Sequence, residues 1–277
     1  MSSPNILLIL VDQHRYDCLG ANGHPFVQTP HLDRLAHEGV NFNHAFTPIA
    51  VCCPARASLI TGLWPVQHGV LFTEMAEAYR PMRTGLPVFP RVLRDAGYYV
   101  ACAGKWHAGT EGGPLEHGFD EYIPESGYAR WREAQGLPPL PRTNGFFGES
   151  DPAISAGQSR LAWTTGQALT LLQKARNRGQ PFFIMWSPSE PHLPNVVPEP
   201  YASLYPPAQV PPWPSFSDPL AGKPYIQRQQ RVNWGVDGWT WDQWAPTVAR
   251  YLGEITLLDE QVGRLLAQLD ALGLADD

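Results

Sequence analysis

The stretch Ile6-Leu7-Leu8-Ile9-Leu10-Val11-Asp12-Gln13 decides the fold class of this 277-residue chain. Its first six residues are apolar without a break, which is typical of a strand buried on both faces of a sheet. Sheets of that kind are mostly parallel, and their ligands bind beyond the carboxyl ends of the strands. Asp12 and Gln13 lie at that end of the strand, so they are the first candidate site residues.

Helix-like and strand-like stretches alternate along the rest of the chain. Apolar spacing, prolines near helix starts and glycines at helix ends predict helices over residues 29–39, 54–62, 88–96, 159–178 and 248–272. Runs rich in β-branched and aromatic side chains predict strands over residues 40–46, 98–103 and 182–186. The alternation predicts an α/β fold with a largely parallel, mixed central sheet and helices on both faces.

Composition excludes several functional classes. The chain carries 20 Lys and Arg against 26 Asp and Glu, without a basic run, which argues against binding to nucleic acid. Its longest apolar run near the start is too short to cross a membrane and lacks the preceding basic residues of a signal peptide, so we expect no membrane association and a cytoplasmic protein. Four irregularly spaced cysteines predict neither a disulfide framework nor a C-x-x-C metal pair.

Proline is enriched in one part of the chain. Of the 29 prolines, 13 lie between Pro181 and Pro224, interleaved with aromatic residues. This stretch is too aromatic for a disordered linker and predicts long, ordered, irregular loops, where ligand contacts commonly lie. Four tryptophans at positions 234, 239, 241 and 244 could form a sugar-stacking wall or pack the loops, and packing is the favoured interpretation.

Four polar clusters stand at predicted strand ends or at a helix start: Asp12-Gln13, residues 52–56, Lys105 with His107, and His192. Taken singly, each has an ordinary alternative, namely a turn cap, a buried small thiol or a hydrogen-bonded loop histidine. A helix start offers free N–H groups and the positive end of the helix dipole, which favours an anion beside Cys52. Arg56 lies four residues further on the same helical face, so the clusters together predict an anion site.

The run Cys52-Cys53-Pro54-Ala55-Arg56, followed by Thr61-Gly62, resembles the C-x-P-x-R signature of the sulfatase family. Three later stretches are similar to further motifs of that family: Gly104-Lys105-Trp106-His107-Ala108-Gly109, His117-Gly118-Phe119-Asp120 and Pro191-His192-Leu193-Pro194. The resemblance covers nearly the whole chain in order. It implies an alkaline-phosphatase-like fold and the hydrolysis of sulfate monoesters to an alcohol and inorganic sulfate.

The resemblance also implies a role for each matched residue. In the family, a formylglycine-generating or maturase enzyme oxidises the cysteine at the position of Cys52 to formylglycine. One hydroxyl of its hydrate attacks sulfur, and sulfate later leaves by carbon–oxygen cleavage. By this resemblance Arg56 holds the hydrate, Lys105 binds a sulfate oxygen and His107 takes the proton during elimination. His192 is implied to bind sulfate and to assist the leaving oxygen.

A divalent cation is implied at the same place. The resemblance assigns Asp12, Gln13 and the modified Cys52 as its ligands, all of them oxygen donors, and a hard cation such as Ca²⁺ is the first expectation. Many family members have a second aspartate where this chain has Gln13. A neutral amide lowers the charge of the site, so Mn²⁺ and Mg²⁺ stay open.

Two family features have no counterpart in the 277 residues. The family completes its metal site with an Asp followed by Asn or His on a strand beyond the long final helix, and it supplies a further lysine later. Asp276-Asp277 is no substitute, because it falls before such a strand. We therefore expect residues 1–277 to be the N-terminal portion of a single catalytic domain, with the C-terminal part missing and a Pro/Trp-rich irregular insertion at about 188–245. Such a chain alone is expected to be inactive.

Two alternative functions stay open from the sequence. A phosphonate monoester or phosphodiester hydrolase of the same superfamily can share the formylglycine motif and the Asp-Gln start. A non-catalytic fragment that binds an anion or a partner is the alternative from a different class. The substrate is expected to be a small-molecule or carbohydrate sulfate ester, and the sequence does not select among such esters.

Overall fold

A parallel sheet forms the centre of the protein. The computed structural model describes residues 3–275, which contain the strands β1 (Ile6–Ile9), β2 (Tyr99–Gly104), β3 (Glu121–Pro124), β4 (Glu149–Ser150), β5 (Phe182–Ser187) and β6 (Val196–Val197). Four of them form the main sheet in the order β1-β5-β2-β3, and β4 pairs with β6 in a small second sheet. Every strand pair within residues 3–275 is parallel. The predicted α/β class and parallel sheet are confirmed.

Helices connect and cover these strands. They are α1 (Pro30–Glu38), α2 (Cys52–Thr61), α3 (Pro65–His68), α4 (Phe89–Asp95), α5 (Gly127–Ala134), α6 (Arg160–Arg178), α7 (Tyr225–Asn233) and α8 (Trp241–Ala271). No helix within residues 3–275 combines the length and apolar character that a membrane span needs.

The sheet buries both of its faces, as the unbroken apolar strands predict. On one face Tyr99 and Ala101 of β2 pack in a core cluster with residues of α6 and α8. On the other face Val100 and Cys102 pack with residues of α2 and α4. Successive side chains of one strand thus enter two different cores, which explains why the strands carry no polar alternation.

Two sequence predictions need correction in the first third of the chain. Residues 40–46 were expected to form a strand, but they form an irregular stretch in which Val40, Phe42 and Phe46 are 76%, 74% and 88% exposed. β-propensity alone does not make a strand when no neighbouring strand accepts its hydrogen bonds. Helix α2 begins at Cys52, two residues before the predicted start at Pro54, because proline is tolerated in the first turn of a helix.

Helix ends elsewhere follow local chemistry. Ser159 caps α6 by accepting a hydrogen bond from the backbone N–H of Ala162, and Gly179 ends it in the left-handed conformation. Helix α8 begins seven residues before the predicted Val248, where Thr240 and Gln243 form a capping box. The Pro-rich stretch contains α7 and several short turns. Asp276-Asp277 lies outside the described residues.

Strands β2 and β5 approach most closely at their carboxyl ends. Gly104 has a φ of +116°, and a Cβ atom there would lie 2.1 Å from the backbone oxygen of Ser187. The backbone N–H of Lys105 donates to that same oxygen at 2.6 Å. A glycine is therefore required for the two strand ends to meet, and they carry the candidate site residues.

We predict that Gly104→Ala lowers the free energy of unfolding by about 3 kcal/mol or more, because it adds both a steric clash and backbone strain. Gly179→Ala is the matched control, since Gly179 also has a positive φ of +67° but open space around its Cα. Gly179→Ala should lower the free energy of unfolding by about 1–2 kcal/mol, the cost of the left-handed conformation alone. Urea denaturation monitored by circular dichroism measures the free energy of unfolding of both variants. Equal losses of stability would contradict the predicted clash with Ser187.

Candidate active site

The carboxyl ends of three neighbouring strands bring the predicted residues together. Asp12 and Gln13 follow β1, Lys105 and His107 follow β2, and His192 follows β5. Strands β1, β5 and β2 are adjacent in the sheet, so their ends share one edge. Helix α2 starts at this edge with Cys52, which shares a cleft of about 800 Å³ with Asp12, Gln13, Arg56 and His192. A ligand site at the strand ends is the arrangement expected for parallel sheets.

Asp12 is the centre of a charge cluster. Its Oδ2 atom accepts hydrogen bonds from Lys105 Nζ at 2.7 Å and from Arg56 Nη2 at 3.3 Å. Burial raises the pKa of Asp12, but the ammonium group of Lys105 and the guanidinium group of Arg56 outweigh burial, so the pKa lies below its ordinary value. The carboxylate is therefore ionised and joins groups from three separate elements.

Arg56 ties the helix to the strand ends. Its Nη1 atom donates to Ser187 Oγ at 2.8 Å and to the carbonyl oxygen of Lys105 at 3.1 Å. Its side chain is only 7% exposed. A buried guanidinium needs several acceptors, and here they come from β2, β5 and Asp12. Ser187 is a site residue that the sequence analysis missed, although it is the last residue of the buried strand β5.

Cys52 faces two histidines across the site. One ligand atom each of Asp12, Cys52 and His192 lie within 4.8 Å of one another. Hydrogen bonding to His107 and His192, together with the charge of Lys105, lowers the pKa of the Cys52 thiol to about 6 in spite of its partial burial. The surroundings of this position therefore stabilise a negative charge.

The pKa values of the two histidines are raised, whereas that of Cys52 is lowered. Hydrogen bonding to Cys52 and Cys53 raises the pKa of His107 to about 9 against the effect of burial. Hydrogen bonding to Cys52 is also the largest cause of the raised pKa of His192. Negative charge at position 52 thus favours the protonated form of both imidazoles, so each can exchange a proton with a group at that position.

Gln13 links the end of β1 to the loop that carries His192. Its Oε1 atom accepts a hydrogen bond from the backbone N–H of Leu193 at 3.3 Å, and its own carbonyl oxygen accepts from Tyr251 Oη at 2.8 Å. Its backbone has a φ of +61°, which is uncommon for a residue other than glycine. The geometry gives Gln13 a positioning role, whether or not its side chain also binds a cation.

A second layer of buried polar groups supports the His192 loop. Asn195 Nδ2 donates to the carbonyl oxygen of Pro191 at 3.0 Å and to Glu254 Oε2 at 2.6 Å. Arg160 Nε pairs with Glu190 Oε1 at 2.8 Å. Burial and the nearby carboxylate of Glu190 raise the pKa of Glu254 to about 8. The sequence analysis missed these residues, because each gives no motif of its own and their partners lie far apart in the chain.

The sequence of this chain is similar to those of known sulfatases. The family model described as Sulfatase matches residues 4–277. An arylsulfatase of Clostridium perfringens is 30% identical over 302 residues, covering 98% of this chain and 60% of its own length. An ulvan-active sulfatase of Formosa agariphila is 30% identical over 281 residues, covering 100% of this chain and 49% of its own length. The chain thus spans about half to 60% of the length of these relatives.

Solved structures give the same result for the fold. The phosphonate monoester hydrolase of Silicibacter pomeroyi superposes with a TM-score of 0.82 at 26% identity, over 99% of this chain and 61% of that one. A sulfatase-like protein of Bacteroides fragilis superposes with a TM-score of 0.72 at 26% identity, over 99% of this chain and 60% of that one. With a family match from residue 4 to residue 277, this chain belongs to the sulfatase family.

Proposed function

We propose that residues 1–277 form the N-terminal portion of a single catalytic domain that hydrolyses sulfate monoesters. One observation carries the proposal: Lys105, His107 and His192 surround position 52 at a helix start, where they stabilise negative charge. Sulfate esters carry negative charge on oxygens that must meet cations and fixed donors. Family membership supports the hydrolase class, and the anion-directed geometry supports the site.

The nucleophile in this proposal is residue 52 after its conversion from cysteine to formylglycine. Such a residue supplies, as its hydrate, a nucleophile that can release sulfate without a second attack on sulfur. Cys53 is fully buried in the core between α2 and the sheet, which supports a purely structural role for it. The proposal requires a formylglycine-generating or maturase enzyme as a partner.

The chain's own charged residues divide the remaining tasks. Lys105 Nζ, held by Asp12, binds a sulfate oxygen, and Arg56 offsets the charge at position 52 while fixing the strand ends. Conversion of Cys52 to formylglycine removes the thiol that raises the pKa of His107, so the neutral His107 imidazole accepts the proton from residue 52 during release of sulfate. His192 binds sulfate and donates a proton toward the leaving oxygen.

The donors at the edge suit a hard cation in kind but are few in number. Asp12 and Gln13 offer oxygen atoms, and the modified residue 52 would add another, which suits Ca²⁺ first and leaves Mn²⁺ or Mg²⁺ open. A bound cation would stabilise negative charge on the substrate oxygens. Six to eight oxygens are usual for Ca²⁺, so these three residues would hold it only together with water or further groups. That this chain alone is inactive remains a prediction.

A phosphonate monoester hydrolase is the second candidate function. The observation that favours it is the superposition on two such enzymes, with TM-scores of 0.80 and 0.82. Tetrahedral phosphonate and sulfate esters make similar demands on cations and donors, so the described residues suit both. Relative rates on an aryl sulfate and an aryl phosphonate ester distinguish the two functions.

Coexpression with a formylglycine-generating enzyme should convert Cys52 and leave Cys53 unchanged. Peptide mass spectrometry should show the loss of one sulfur and two hydrogens and the gain of one oxygen at position 52. Cys53→Ser is the matched control, in which Cys52 should still be converted. The Cys52→Ser variant should show no conversion. Conversion at position 53 in the unmutated chain would refute the assignment of the nucleophile.

The unmodified Cys52 should react with iodoacetamide as a thiolate. Because its pKa is about 6, the alkylation rate should rise through about pH 6 and level off above it, whereas an ordinary cysteine rises near pH 9. His107→Asn removes the largest stabilising hydrogen bond and should move the midpoint upward. His37→Asn, on the exposed side of α1, should leave it unchanged. Labelling in EDTA with peptide quantification gives the midpoint, and a value near 9 in the unmutated chain contradicts the site electrostatics.

Loss of the Lys105 ammonium should weaken the binding of inorganic sulfate by about ten- to a hundredfold, the range for a hydrogen bond to a charged group. Lys105→Ala is the test variant, and titration calorimetry gives the affinity. Lys174→Ala is the matched control, because Lys174 pairs with Glu121 and is half exposed. Unchanged sulfate affinity in a folded Lys105→Ala protein would overturn the proposed site.

A further inference from the structure

One exposed aromatic ring, that of Phe146, lies next to His192, and a second exposed ring, that of Trp234, packs against Phe146. The Phe146 ring lies 6.5 Å from the His192 ring, centroid to centroid, and 5.1 Å from the Trp234 ring. Phe146 is 44% exposed and Trp234 is 38% exposed. We call Phe146 and Trp234 the aromatic shelf.

Three further rings extend this aromatic cluster, which the shelf joins through the contact of Phe146 with Phe147. Phe147 lies 5.2 Å from Trp239 and 5.6 Å from Trp244, and these two tryptophans lie 5.1 Å apart. All three are half-buried, as expected of rings that pack loops together. Phe146 and Trp234 belong to the same cluster but remain open to solvent. Loop packing therefore explains the supporting rings and leaves the shelf unexplained.

Backbone contacts join the loop that carries Phe146 to the loop that follows His192. A Cβ atom on Gly148 would lie 2.2 Å from the backbone oxygen of Asn195, so the loop after Phe146 and the loop after His192 touch directly. The two loops also pair through the small sheet, in which β4 follows Phe146 and β6 follows His192. Arg250 Nη2 adds hydrogen bonds of 2.9 Å to the carbonyl oxygens of Phe147 and Gly148. These contacts hold the Phe146 loop beside His192, and Trp234 joins the shelf by packing on the Phe146 ring.

We propose that the aromatic shelf binds the ring of the alcohol part of the substrate. The inference rests on the proposed function, in which His192 faces the leaving oxygen, so a ring attached to that oxygen reaches the shelf. The five aromatic side chains of the cluster are uncharged, which suits a ring with an apolar face and not a second anionic group. An arene and a pyranose both present such a face, and they share the same stacking chemistry.

A binding experiment tests the shelf without requiring turnover. The 277-residue chain carrying Cys52→Ala is titrated with 4-nitrophenyl sulfate, N-acetylglucosamine 6-sulfate, n-hexyl sulfate and sodium sulfate, with ligand-observed NMR giving each Kd. Trp234→Ala and Phe146→Ala are compared with the conservative Trp234→Phe. Tyr225→Ala is the matched control, because Tyr225 is an exposed aromatic residue on α7 whose hydroxyl donates to Gln229 Oε1.

We expect either shelf-to-alanine variant to weaken binding of at least one ring ester by about tenfold, the scale of one aromatic contact. The affinities for hexyl sulfate and inorganic sulfate should change less than threefold, and Trp234→Phe should retain most of the ring affinity. The ester with the larger loss identifies the ring as arene or pyranose. Tyr225→Ala should change none of the four affinities.

Three results would overturn the proposal, and they differ from one another. If inorganic sulfate does not bind, the proposed function fails and the shelf inference fails with it. If sulfate binds but the shelf variants leave both ring esters unaffected, only the shelf inference fails. If the shelf variants weaken ring esters, hexyl sulfate and inorganic sulfate equally, the rings act on the fold of the site and bind no substrate ring.

Discussion

The carboxylate of Asp12 is the group on which the site depends. It is largely buried and accepts hydrogen bonds from Lys105 and Arg56, which belong to different elements. A buried carboxylate and two buried cations are tolerated only together, because removing one partner of a buried ion pair costs about 3–5 kcal/mol. The ends of β1, β2 and the start of α2 must therefore meet for any of the three charges to be stable.

This constraint leaves the site with an excess of positive charge. One carboxylate faces Lys105 and Arg56, while hydrogen bonding to an anionic residue 52 favours the protonated forms of His107 and His192. The start of α2 adds the positive end of a helix dipole. This excess positive charge is neutralised only when an anion enters. Without its ligand the site is therefore unfavourable, and burial in the apolar cores on the two sheet faces must offset that cost.

The sequence predicts those parts of the protein that local patterns encode. The apolar run that ends at Asp12 determines a buried strand, and the C-x-P-x-R run places residue 52 at a helix start. Pairings between distant residues have no such signal: Asn195 bonds Glu254 across 59 positions, and Arg56 bonds Ser187 across 131. The false strand at residues 40–46 fails for the same reason, because a strand exists only when a distant partner accepts its hydrogen bonds.

Charge accounting also relates the cation to the substrate. A divalent cation beside Asp12 would add two positive charges where Lys105 and Arg56 already compensate the carboxylate. Gln13 would contribute an oxygen but no charge, so a cation alone would meet net repulsion at this edge. In the proposed function, a sulfate or phosphonate oxygen beside the cation would supply the missing negative charge. Binding of such a cation and binding of the anionic substrate would therefore be coupled, and each would raise the affinity for the other by the same factor.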